Sequence, residues 1–365
     1  MQKNIRQWRS VLGVIFLAAL LASCAPRPRP EDIAWMRQEL KTRLPEIVQY
    51  ADISAAAYVG PNEVPSCQDA SIAVLPIPCF GVGVAGSRHR AIYLVDTSGP
   101  VQVVAVRGTA NRGDALIDLG TRRIPDPHLE VGVHEGFSRV AQAIYAQIKE
   151  RHLLNPAKPV VVTGHSLGGA VALLLGMYLD AKRPDRFTVK AIYTFGQPKV
   201  FANDGVTSSP TMNRTILRVV NCGDPVPIVP ISQSRLAHLG RFDVGGDNRL
   251  TDYQHLGASL ILMDGGRFWM PGSVELERDL PGTASNLLAD LLGHRQNEHA
   301  MNEYVERIAS LSTPVLVDGS GASLDAVARY LARRDAGTPD GARAVPFLPS
   351  GRNPCVVPGT EVASR

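Results

Sequence analysis

One stretch constrains the fold of this chain more than any other: Val160-Val161-Val162-Thr163-Gly164-His165-Ser166-Leu167-Gly168-Gly169-Ala170. A β-branched run enters a Gly-x-Ser-x-Gly pentapeptide, and an apolar, helix-forming segment over residues 171–179 leaves it. The first favours a strand and the second a helix, so the serine is expected on a sharp strand-to-helix turn, a nucleophile elbow. Glycines at 164 and 168 remove Cβ atoms that would collide with neighbouring backbone in such a turn. Ser166 then projects from the top of a sheet, and the helix starting at Leu167 aims its first N–H groups at any oxyanion forming beside it. The pentapeptide alone is weak, because with glycine at about 7% and serine similar chance yields it in about one chain in ten of this length. The strand before it and the helix start after it make chance a poor explanation.

Strand-like and helical patterns alternate along the rest of the chain. Residues 91–95 and 101–106 read as strands joined by a Thr-Ser-Gly-Pro turn; 189–195 and 216–220 read as two more, and 260–263 with 267–270 as a pair around Gly265-Gly266. Helical spacing marks 31–57, where Pro45 predicts two helices or a kinked one, then 137–154, 170–181, 285–292, 300–311 and 323 to about 334. Residues 66–80 read as a loop and 107–128 as irregular. Strands interleaved with helices predict an α/β sandwich on a largely parallel sheet, whose ligands bind at the carboxyl ends of strands. Thr109, Ser166 and Asp224 each follow closely on a predicted strand and can meet at one edge.

The N-terminus reads as an export signal. Lys3, Arg6 and Arg9 precede a twelve-residue apolar run, 11–22, too short to span a bilayer but suited to a signal h-region. Leu21-Ala22-Ser23-Cys24 follows and resembles a bacterial lipobox, with Cys24 lipidated as the first mature residue; the alternative is an ordinary signal cut near Ser23. Alternating prolines over 25–30 make an extended tether. Ala25 after the cysteine implies outer-membrane sorting in the Gram-negative lipoproteins it resembles. Of 38 Lys and Arg residues, 35 remain without the three in the signal, against 34 acidic ones. Near-neutral charge leaves no footprint for nucleic acid. Cys67, Cys79, Cys222 and Cys355 fit two disulfides in an oxidising envelope; three pairings are open, with Cys67–Cys79 and Cys222–Cys355 expected.

A serine hydroxyl needs a base, usually a histidine oriented by a carboxylate, and on α/β-hydrolases the chain order is Ser, Asp or Glu, His. Asp224 suits the carboxylate, in a Gly-Asp-Pro turn after a strand; the competing role is a turn residue capping its own backbone. His255, His294 and His299 all follow Asp224, and chemistry alone leaves the three open. His134 precedes the serine, and His165, inside the elbow, is expected to point away from the partner of Ser166. No H-E-x-x-H, H-x-x-E-H or CxxC spacing occurs, so neither a metal nor a cofactor is expected.

Several ordered motifs from about residue 50 to 311 resemble the class 3 lipases, the fungal-lipase-like branch of the α/β-hydrolases. They are Tyr50-Ala51-Asp52-Ile53-Ser54 with Tyr58, Val106-Arg107-Gly108-Thr109, Val133-His134-Glu135-Gly136-Phe137, the elbow, and Thr194-Phe195-Gly196-Gln197-Pro198-Lys199-Val200. Asp224-Pro225-Val226-Pro227, Tyr253-Gln254-His255-Leu256-Gly257 and His299-Ala300-Met301-Asn302-Glu303-Tyr304 complete the series. The resemblance implies Ser166 as nucleophile, Asp224 as orienter and His299 as base, with His255 the runner-up. Thr109 and the Leu167 N–H would form the oxyanion hole.

The expected activity is that of a serine lipase or carboxylesterase acting on lipid or short-to-medium-chain esters through an acyl-serine, tethered to the envelope by its lipid. The alternatives are an envelope phospholipase A-type acyl hydrolase, acyl transfer to another alcohol, and a catalytically silent hydrolase-fold lipoprotein that binds lipid. One departure from the family bears on the substrate. The loop 110–118, where lipases carry an apolar lid, holds only Leu116 and Ile117 as bulky apolar residues, which favours esters less greasy than triglyceride. The expected organisation is a signal at 1–23, a tether at 24–30, a hydrolase domain at 31–312 and an extension at 313–365.

Overall fold

A computed structural model describes residues 30–58, 77–84, 90–108, 122–181, 187–202, 214–224, 226–230, 253–270, 298–312 and 314–316. The export signal, Cys24 and the tether before Pro30 lie outside these residues, as do Cys67, Thr109, the loop 110–118, His294, Cys355 and the helices expected at 285–292 and 323–334.

The described elements are, in chain order, α1 (Pro30–Ala56), β1 (Cys79–Gly83), β2 (Arg90–Asp96), β3 (Gln102–Val106), β4 (Arg123–Pro125), β5 (Gly132–His134), α2 (Glu135–Glu150), β6 (Val160–His165) and α3 (Leu167–Asp180). They continue with β7 (Val189–Phe195), β8 (Phe201–Ala202), β9 (Ile216–Asn221), β10 (Tyr253–Gln254), β11 (Ala258–Leu262), β12 (Arg267–Trp269), α4 (Met301–Ala309) and β13 (Val315–Leu316). Nine strands form one sheet in the order β1-β2-β3-β6-β7-β9-β11-β12-β13. Its centre, β3-β6-β7-β9-β11, is parallel throughout, and β1, β2 and β12 join antiparallel. Four short strands, β10-β8-β5-β4, make a second sheet.

The valine run explains the position of β6. A strand buried on both faces reads as a continuous apolar run rather than an alternating one, and every residue of β6 is buried. Val160 and Val162 pack with α2 and α3 on one face of the sheet; Val161 packs with α1 and α4 on the other. Thr163 turns its hydroxyl to the α1 side, 2.9 Å from Ser54 Oγ. Helix α3 is apolar almost all round because it is enclosed: residues 168–176, Tyr178 and Leu179 are buried between the sheet and the Ala141, Ile144 and Ile148 face of α2.

The structure departs from expectation in several places. α1 runs as one helix through Pro45 and already starts at Pro30, a residue suited to a first helical turn. The segment expected as a loop up to residue 80 ends in an edge strand, β1, which pairs with β2 from Cys79↔Leu94 to Gly83↔Arg90. Strands β4 and β5 occupy and follow the region expected to be irregular. Cys79 and Cys222 are both disulfide-bonded. They sit at the ends of β1 and β9, five strand positions apart or about 24 Å at the usual spacing. A disulfide cannot span that gap, so the pairing Cys79–Cys222 is excluded and both partners lie outside the described residues.

Candidate active site

Four neighbouring strands deliver their C-terminal ends to one edge. The register places Val106 beside Gly164, His165 beside Phe195 and Phe195 beside Val219. The residues just past β3, β6, β7 and β9 therefore converge. Ser166 sits in the turn from β6 to α3 with φ 60° and ψ −133°, a backbone conformation that costs energy outside glycine and that the packed strand and helix must impose. Gly168 is needed because α3 closes directly onto the end of β3: a Cβ there would lie 2.3 Å from the Val106 carbonyl oxygen. Gly108 is needed on the other side, where a Cβ would come 2.6 Å from the His165 carbonyl and 3.1 Å from the Ser166 Cβ. Leu167 opens α3, so its N–H belongs to the first turn that has no intrahelical acceptor.

Ser166 Oγ lies 2.8 Å from His299 Nε2, and His299 Nδ1 lies 3.0 and 2.9 Å from the two Asp224 oxygens. A carboxylate only accepts, so Nδ1 donates to Asp224 and Nε2 is left to receive the Ser166 hydroxyl. All three side chains are buried. The order Ser, Asp, His and the expected partners are thus brought together. Asp224 also plays the competing part considered for it, since its Oδ1 accepts the Val226 N–H at 2.9 Å. One carboxylate caps its own turn and orients the imidazole.

Sequence reasoning gave no role to Tyr304, which donates to Asp224 Oδ2 at 2.5 Å and accepts the Asn221 N–H at 3.1 Å. Burial and the neighbouring Asp224 charge push its hydroxyl well above the usual tyrosine range, so it keeps the proton it donates. The signal was its place on the helix that follows His299. Arg307, on the same helix, ties the two loops together: it donates to the Cys222 carbonyl at 3.2 Å and pairs with Glu298 at 2.6 Å and Asp264 at 2.8 Å. The Asn221 side chain adds a bond to the Glu298 carbonyl at 3.1 Å.

The other histidines separate by environment. His255 is buried, donates from Nε2 to the Pro227 carbonyl at 2.7 Å, and is turned to that carbonyl rather than to Ser166. Burial first, then the charges of Arg218 and Lys199, hold its pKa well below the usual 6.5. His134 is buried and stacks on Phe137. His165 was expected to point away from the serine's partner, and it does not: its ring stacks on that of His299 with centroids 4.7 Å apart. The β6 alternation explains this: Val161, Thr163 and His165 share one face of the sheet, the side of α1 and α4 on which His299 docks. Arg107 donates its backbone N–H to the Ile92 carbonyl at 2.9 Å and lies with its guanidinium 6.0 Å from the centre of the Tyr58 ring. Among the described residues no group of three or more His, Cys, Asp or Glu is placed to hold a metal ion.

A mainly parallel sheet with a serine elbow at the end of its central strand and an Asp and a His reaching it from later loops defines an α/β-hydrolase fold. Residues 103–234 match the family model described as lipase (class 3). Curated relatives include a secreted mono- and diacylglycerol lipase of Fusarium solani, 37% identical over 134 residues that cover 35% of this chain and 39% of that one. Another is a lipase of Rhizopus oryzae, 28% identical over 219 residues, 54% of this chain and 53% of that one. The matches thus span about half or less of these relatives. Among solved structures, the triacylglyceride lipase of Rhizomucor miehei aligns with a TM-score of 0.43 at 22% identity, covering 60% of this chain and 80% of that one.

Proposed function

We propose that this chain is a serine ester hydrolase that cleaves lipid or short-to-medium-chain carboxylic esters through an acyl-serine intermediate. The observation that carries the reading is the continuous hydrogen-bonded line from Ser166 Oγ through His299 to Asp224, with 2.8 and 2.9 Å links. In the proposed reaction His299 Nε2 takes the Ser166 proton as the oxygen bonds to the ester carbonyl carbon. The Leu167 N–H and Thr109 hold the resulting oxyanion; losing one such donor typically costs about 3 kcal/mol of barrier. Collapse breaks the bond to the alcohol oxygen, which leaves with the proton from His299. Water then repeats the cycle on the acyl-serine, and Asp224 stabilises the imidazolium in both halves. Lipid esters are favoured as substrates by the relatives' descriptions, among them mono- and diacylglycerol lipases. The polar loop 110–118 favours partial glycerides or other less apolar esters over triglyceride droplets.

Hydrolysis of p-nitrophenyl esters of rising chain length tests this directly. Measurable turnover that vanishes in Ser166→Ala, peaking at short or medium chains below the solubility limit, is expected. No turnover would end the enzyme reading, and rates that rise steeply only above the solubility limit would end the reading of the loop.

The location we propose is the bacterial outer membrane, with the chain anchored through lipid on Cys24. It is supported by the charged, apolar and small-residue order of residues 3–24 and by disulfide-bonded Cys79 and Cys222, which suit an oxidising compartment. Cys24→Ala is expected to move the protein from the membrane to the soluble fraction; retention in the membrane would contradict the anchor.

A further inference from the structure

Among the described buried residues outside the line from serine to aspartate, His165 has specific surroundings on every side. It is buried at the last position of β6. Its Nε2 lies 2.8 Å from the main-chain carbonyl of His299, and its Nδ1 lies 2.8 Å from the Tyr58 hydroxyl. The bonding fixes the tautomer. A carbonyl can only accept, so Nε2 carries the hydrogen; Nδ1 then offers a lone pair, and Tyr58 donates to it. In its neutral form the His165 ring is thus held at both nitrogens. Its face lies against the His299 ring, centroids 4.7 Å apart and planes inclined by 29°. Tyr304 packs edge-on to it at 5.7 Å and Tyr58 at 5.6 Å. The titratable and charged groups around it are these two tyrosines, His299 with Asp224 behind it, and Arg107 across the Tyr58 ring.

We infer that His165 is a positioning residue for the proposed base. Its N–H bond to the His299 carbonyl sets the height of the base loop over Ser166, and its neutral ring face opposes the His299 imidazolium that forms during acyl transfer. The inference rests on the serine-hydrolase reading and deepens it. Two physical effects follow from one side chain. The hydrogen bond holds His299 Nε2 within reach of Ser166 Oγ, where an error of about 1 Å costs roughly a hundredfold in rate. The ring face stabilises positive charge on its neighbour, as aromatic faces do. Tyr58 matters because it keeps the His165 hydrogen on Nε2. A His165 protonated at both nitrogens would set a second positive charge against the imidazolium.

Two substitutions separate the effects. His165→Gln keeps an N–H donor for the His299 carbonyl but removes the ring, whereas His165→Phe keeps the ring and removes both hydrogen bonds. Each is assayed with p-nitrophenyl butyrate for kcat, KM and the pH profile of kcat/KM. For His165→Gln we expect kcat to fall about tenfold with KM nearly unchanged. With less to stabilise it, the imidazolium loses its proton more readily, so the acid limb moves to lower pH by about half a unit. His165→Phe should lower kcat and leave the acid limb in place. Should His165→Phe lose its cooperative thermal melt, Tyr58→Phe replaces it: with Nδ1 no longer occupied by the hydroxyl, kcat is expected to fall severalfold and the acid limb to move to lower pH. An active, folded His165→Gln whose acid limb coincides with wild type would overturn the role of the ring. Unchanged kcat in the partner variant would overturn the role of the hydrogen bonds. Either result leaves the serine-hydrolase reading standing, whereas wild-type protein without esterase activity would remove both.

Discussion

Two histidines flank the Asp224 turn, and their surroundings could hardly differ more. His299 lies between a carboxylate and a hydroxyl, on a loop held by Arg307, Asn221 and the His165 ring. His255 lies under the turn, pinned to the Pro227 carbonyl and facing the positive charges of Arg218 and Lys199. The first environment welcomes a proton taken from Ser166; the second opposes any positive charge. In sequence the two are equivalent, since each follows Asp224 and begins a structured stretch. In the proposed reaction burial and the sign of the neighbouring charge, rather than chain order, favour His299 for proton transfer and leave His255 to support the turn.

The difference can be broken or sharpened by substitution. The largest effect is expected for Asp224→Asn, which leaves the shape of the turn but offers His299 an amide in place of a carboxylate. A loss of about 10⁴-fold in kcat is expected, read by ester hydrolysis. Tyr304→Phe removes a hydrogen bond to the same carboxylate; such bonds to charged groups contribute about 1.5–3 kcal/mol, so kcat should fall tenfold or somewhat more with the protein still folded. If it falls no further than twofold, Asp224 is held well enough by His299 and the Val226 N–H alone.

His255 should act on stability instead. Its folded pKa is depressed, so below about pH 6.5 the unfolded chain binds a proton that the native chain refuses. Stability is then lost as pH falls from that point, by up to about 1.4 kcal/mol per pH unit from this group. Thermal melts between pH 7.5 and 5.5 should show that slope in wild type and a shallower one in His255→Gln, with esterase activity within about threefold of wild type. Parallel slopes would mean that His255 is protonated in place or that other groups dominate acid unfolding.

Legibility in the sequence followed the range of the interactions. The elbow is a local device, so its valines, glycines and serine announced it, and the strand and helix it joins fell where the pattern put them. Asp224 was legible for the same reason, as a turn at a strand end. His299 was not separable from His255 and His294 by the residues themselves; resemblance to a family pointed to it. Its approach to Ser166 depends on the order β6-β7-β9-β11 and on where α4 docks, contacts more than a hundred residues apart in sequence. The Tyr304 and Tyr58–His165 bonds are missed for the same reason. Strands β5 and β8 were missed because they are three and two residues long, and β1 because two of its five residues are glycines, which weaken a strand signal.

The most direct test of the central claim compares the rates at which a fluorophosphonate modifies the protein, followed by intact mass and peptide mapping. Wild type and His255→Gln should both be modified at Ser166 at similar rates, and His299→Ala should react slower by about a thousandfold or more. Modification of His299→Ala at the wild-type rate, or of a residue other than Ser166, would contradict the account.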